Sequence, residues 1–178
     1  MMRYTLPEII SSSTPAQVRR TIWAAYASGI IAAIGLIFLV IFFSGVDIFG
    51  PLNDIAVIIH YLLLLPIMFS VHRLLQASDN RLNKVTMNIG LFGFLSVIML
   101  QTLLVVGFIP FRQQIALVIP AFLVGTVWFV LIERLGRQDK RLPKGLALHI
   151  LAGLIFAYPI WAFKLARNLE QYLQGGSA

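Results

Sequence analysis

Five long apolar runs separated by short polar bridges organise the chain. Residues 22–43, 55–71, 85–109, 115–132 and 146–163 contain no Asp, Glu, Lys or Arg. Each is near or above the ~17 to 25 residues with which an α-helix crosses a bilayer. The pattern predicts an all-α integral membrane protein, a five-transmembrane-helix bundle forming one domain over 1–178. Residues 1–21 then form an N-terminal tail and helix start, and 164–178 form an interfacial C-terminal tail.

Local signals sharpen the ends. Thr14, Pro15 and Gln17 supply an N-cap, an N1 proline and a capping-box acceptor, so the first helix starts before its apolar run. That run is too long, and too far from the start, for a cleavable signal peptide, and reads as a signal anchor. After residue 163, Leu165, Leu169, Tyr172 and Leu173 recur at helical spacing before Gly175 and Gly176. That tail is expected as an amphipathic helix in the outer interface or an extension of the fifth helix.

Composition agrees, with 59% hydrophobic and 12% charged residues and a mean hydropathy of +0.88. The net charge of +7 would suit a nucleic-acid binder if the cations shared a surface. They do not. Eleven of the fourteen Lys and Arg fall before the first run, between the second and third, or between the fourth and fifth. Lys and Arg collect in cytoplasmic loops, so the N-terminus is expected inside and the C-terminus outside, as in a multi-pass protein of a bacterial cytoplasmic membrane. Five cations in the fourth bridge, Arg134, Arg137, Lys140, Arg141 and Lys144, act as a topology determinant or attract anionic lipid headgroups.

The absence of charge inside the runs bears on function. Proton relays, cation-coupled carriers and voltage sensors retain intramembrane charges because their chemistry uses them. No G-x-S-x-G elbow, H-E-x-x-H helix or phosphate-binding glycine loop occurs, and the chain has no cysteine. It reads as non-enzymatic.

Helix rise places His60, Gln101 and Tyr158 about 8 to 12 Å inside the outer ends of their runs, in one layer. Asn53 stands one heptad before His60 on the same helix face. This layer is either structural glue or a site for a lipid, a quinone or a tetrapyrrole. His72 and His149 lie at inner ends, where they contact headgroups or carbonyls, or pair as haem ligands. Trp23, Tyr26, Trp128 and Trp161 read as interfacial anchors. Ala25, Gly29 and Ala33, Ser28 and Ala32, and Gly153 and Ala157 supply small residues at i+4 for close helix packing or a subunit seam.

Three roles remain open. The first is an accessory or assembly subunit that meets other membrane subunits, or a second copy of itself, through its lipid-facing surface. The second is a binding protein or carrier for an uncharged or lipophilic ligand. The third is a haem- or pigment-binding subunit.

Overall fold

The computed structural model describes residues 15–75, 80–139 and 158–175, which form an all-helical bundle. Its helices are α1 Pro15–Phe43, α2 Phe49–Leu75, α3 Asn80–Val105, α4 Phe111–Asp139 and α5 Tyr158–Gly175. The first four are long and apolar enough to cross a membrane, over Pro15–Phe43, Phe49–Arg73, Arg81–Val105 and Phe111–Gly136. The chain is thus a multi-pass membrane protein with four such helices among the described residues. A helix suits lipid because it satisfies its own backbone polar groups. Pro66 and Pro120 sit inside α2 and α4 without ending either one.

Two tight turns close the end of the bundle away from most cations. Gly45 and Gly107 follow α1 and α3 with φ of 97° and 76°, a conformation glycine adopts without steric penalty. The Phe108 N–H bonds the Leu103 carbonyl at 2.8 Å and the Gly107 N–H bonds Leu104 at 3.0 Å. These bonds satisfy carbonyls that a helix end leaves free.

Helix α1 and α2 run antiparallel along a seam that repeats every seven residues on α1. Thr21 Oγ1 lies 2.7 Å from Ser70 Oγ, and Ser28 Oγ lies 3.0 Å from His60 Nδ1. A Cβ on Gly35 would lie 3.3 Å from that of Ala56, and one on Gly50 would lie 3.0 Å from the Phe42 ring. Small and polar side chains here bring two helix backbones together.

A second antiparallel seam joins α3 to α4. Asn83, Thr86, Gly90, Gly93, Val97 and Leu100 are buried at alternating spacings of three and four. Gln114, Val118, Ala121, Gly125, Trp128, Ile132 and Leu135 do the same on α4. This 3,4 pattern matches two helices crossing at a shallow angle. The two backbones meet at Gly93, where an added Cβ would lie 2.8 Å from the backbone nitrogen of Gly125.

The helices form an open row, with α5 on α1, α1 on α2, α2 on α3 and α3 on α4. No substantial packing joins α1 to α4. One end of the row carries Arg19, Arg20, Arg73, Arg81, Lys84 and Arg134, all exposed; the opposite end carries the two glycine turns.

One expectation changes. The fifth run, 146–163, lies outside the described residues except for Tyr158–Phe163, which starts α5, so a fifth span is not shown. The C-terminal tail continues the end of the fifth run as one amphipathic helix, one of the two forms expected for it, and it packs on α1. Its Ala162, Leu165 and Ala166 are buried in one cluster with Val18, Ile22 and Ala25 of α1. Tyr26 donates to Glu170 at 3.0 Å, and its ring lies 5.7 Å from that of Phe163. These contacts put α5 beside the arginine-bearing end of α1, where its apolar stripe is buried.

Gly93→Leu tests the α3–α4 approach. The new side chain meets backbone, which cannot swing aside, so stability should fall by about 1 to 3 kcal/mol or the fold should be lost. Thermal unfolding in mild detergent measures this, and an unchanged midpoint would show that the two helices do not touch at Gly125.

Candidate functional site

The row arrangement leaves a cleft of about 480 Å³ between α1 and α4, floored by α2. This is within the ~300 to 1,000 Å³ of small-molecule sites. Its walls are apolar, with Leu36 and Leu39 on α1 and Ile119, Phe122 and Leu123 on α4. Polar groups are few: Asn53 and His60 from α2, Gln101 from α3 and Thr126 from α4. The lining contains no Asp, Glu, Lys or Arg.

Each polar group has an origin in the packing. His60 is held by α1, its Nδ1 lying 3.0 Å from Ser28 Oγ and 3.3 Å from the Ser28 carbonyl. A carbonyl only accepts, so the second contact favours a proton on Nδ1. Gln101 is 4% exposed and accepts a hydrogen bond from Gln114 Nε2 at 3.0 Å. Thr126 turns its hydroxyl back to the Phe122 carbonyl at 2.9 Å, which leaves its methyl group for the cleft. Tyr61 stands between the cleft and the core, packed edge-on to Phe94 at 5.4 Å and tilted against Phe122 at 5.9 Å.

Of the outer layer expected from helix rise, His60, Gln101 and Asn53 come together on this one cleft. His60 is tied to Ser28 and Gln101 to Gln114. Tyr158 opens α5, and its side chain lies outside the described residues. Sequence reasoning missed Gln114, Thr126 and the partner role of Ser28. Gln114 stands one residue before the fourth run, at helical spacing from Val118 and Ala121, and that shared face was its signal.

Of the inner histidines, His72 is described. His149 lies outside the described residues, as do Lys140, Arg141 and Lys144; Arg137 is within α4 with its side chain undescribed, and Arg134 is exposed. His72 is 2% exposed and sits in the core, away from headgroups. Trp128 Nε1 donates to His72 Nε2 at 2.9 Å, so Nδ1 carries the proton and donates to Asn83 Oδ1. The Asn83 amide returns a bond to the His72 carbonyl at 3.0 Å, satisfying one of the free carbonyls at the end of α2. Both imidazole nitrogens are engaged, and a haem iron could be ligated only by breaking this network. The expectation of an interfacial Trp128 is also corrected. Its indole is fully buried, seated against Gly90, where a Cβ would lie 2.7 Å from the indole Cγ.

Comparisons with protein-family models, with curated proteins and with solved structures find no match.

The His72 network binds three helices and should behave as a unit. Trp128→Phe and Asn83→Leu should each lower stability by about 0.6 to 2 kcal/mol, the range for polar contacts between membrane helices. In a His72→Phe background the Trp128→Phe change should cost clearly less, because its partner is already gone. Thermal unfolding of the single and double variants checks this, and strict additivity would dissolve the network into independent contacts.

Proposed function

We propose that this protein binds an uncharged, lipophilic molecule in the cleft between α1 and α4. The observation that carries the reading is the lining itself: apolar walls, a few polar side chains, among them Asn53, His60 and Gln101, and no charge. A charged ligand would have to lose its hydration with no counter-charge to receive it. A lipid or a quinone, apolar over most of its surface with a few hydrogen-bonding atoms, suits Asn53, His60 and Gln101. The topology we propose keeps the basic end cytoplasmic, as its cations favour. Helix α5 then lies on the cytoplasmic side, in place of a tail outside.

A second reading, an accessory or assembly subunit, is supported by one face of α3. Val85, Asn88, Phe92, Leu95, Met99 and Thr102 are all exposed and recur at spacings of three and four. This is the seam spacing of α3 and α4 repeated on an unpartnered face, and an exposed amide in lipid favours a second transmembrane helix, from another subunit or a second copy.

Native mass spectrometry of the protein in mild detergent discriminates. A retained small-molecule mass is expected, and Thr126→Phe, which adds a ring to the cleft, should reduce its occupancy at least about tenfold while the protein stays folded. An unaltered ligand mass in that variant would remove the cleft reading. A stable dimer or hetero-complex lost in Asn88→Leu, with no small molecule bound, would favour the second reading. Reporter fusions at Asp47 and Gly175 test the topology: the first should be outside and the second cytoplasmic, and an external Gly175 fusion would restore an odd number of spans.

A further inference from the structure

The two turns opposite the basic end carry large exposed apolar side chains, with Asp47 and Arg112 as the exposed charges beside them. Phe108 is 80% exposed and Phe43 76%, and Val46, Ile48, Val106 and Phe111 are exposed beside them. The turns are not independent. Phe42, at the end of α1, packs on Gly50 at the start of α2, and its ring lies 6.5 Å from that of Phe111 at the start of α4. This aromatic bridge spans the gap that α1 and α4 otherwise leave open. It sits at the turn end of the cleft, beyond Leu39 and Asn53.

Helix length says how deep these turns lie. At about 1.5 Å per residue, Phe43 is about 35 Å along α1 from Arg20, and Phe49 about 36 Å along α2 from Arg73. Phe111 is likewise about 35 Å from Arg134, and Val105 about 32 Å from Lys84. A hydrocarbon core is about 30 Å thick, and helices tilt by about 20° on average, which shortens each span by a few ångströms. With the cations held among the headgroups at one face, the turns reach only the boundary of hydrocarbon and headgroups at the other. Their exposed side chains also continue the lipid-facing rows below them, Ile37 and Val40 on α1 and Leu52, Ile55 and Ile59 on α2.

We infer that the two turns form one largely apolar platform at the boundary of hydrocarbon and headgroups in the leaflet opposite the basic end, with Asp47 and Arg112 reaching the headgroups and the Phe42–Phe111 bridge roofing the cleft on its water side. The partner of this surface is lipid. The remaining way into the cleft runs sideways between α1 and α4, past the exposed Ile119 and Leu123. A ligand would therefore be drawn from that leaflet and not from the aqueous phase. This last consequence rests on the cleft-binding reading, whereas the depth of the platform does not.

The chain has no cysteine, so single nitroxide labels can be placed without background. Ile48→Cys, Phe108→Cys and, as a water-exposed reference, Lys84→Cys would be spin-labelled and reconstituted into phosphatidylcholine vesicles. Each label would be tested for collision with dissolved oxygen and with a water-soluble nickel chelate present on both sides. Labels at 48 and 108 should meet oxygen more than nickel, and the label at 84 the reverse. Nickel access at 48 and 108 equal to that at 84 would put the turns in water and overturn the inference. Shielding from both reagents would mean that a second copy covers the platform, which overturns it equally. No ligand enters the measurement, so failure of the cleft reading would not be mistaken for failure of this one.

Discussion

Inside a bilayer an apolar side chain gains little by leaving lipid for a neighbouring helix, so this bundle depends on close backbone approach and a few polar contacts. Both seams show it. Along α1 and α2, Thr21 meets Ser70, Ser28 meets His60 and Gly35 meets Ala56. Along α3 and α4, Gly93 meets the Gly125 backbone, and Gln101 bonds Gln114. The His72, Asn83 and Trp128 network then ties α2, α3 and α4 together at the basic end. Large apolar residues fill the space between these points, but the points set the register.

The cleft follows from the same constraint. Helices held pairwise along narrow seams form a row, and a row that curves leaves α1 and α4 facing each other with little more than the Phe42–Phe111 ring contact between them. Polar groups needed to tie α1 to α2 and α3 to α4 lie close to that gap, which is how His60 and Gln101 come to line an otherwise apolar space. Structural glue and ligand chemistry are thus alternative uses of the same atoms. His60 already has Ser28, so anything bound there would extend an existing hydrogen-bonded pair.

The two ends of the bundle differ in kind. One is polar, with exposed cations on all four long helices and on α5 at Arg167. The other consists of two glycine-closed turns carrying exposed Phe, Ile and Val, with Asp47 and a single cation among the described residues there, Arg112. Such asymmetry fixes how the molecule sits along the membrane normal more firmly than helix length alone, because cations resist entering hydrocarbon while apolar turns do not resist leaving water.

Much was legible in the sequence because burial in lipid is a property of whole segments. Twenty uncharged residues identify a span wherever its neighbours are, and cation placement orients it, so four spans and the basic end needed no structure. His60 and Gln101 could be assigned to a common depth in the same way, since rise per residue is constant, and Asn53 to the face of His60 one heptad away. What depth leaves open is rotation and neighbour choice. His72 and Trp128 both looked interfacial from position along the helix, yet each faces a buried partner, because helix rotation turned them inward. Gly93 and Gly125 carry no mark in the sequence beyond being glycines; their contact exists only once α3 and α4 lie antiparallel. The C-terminal segment shows the limit most plainly. Its apolar stripe was visible, but the surface that covers it, the first turns of α1, is distant in sequence, and only the tertiary structure brings the two together.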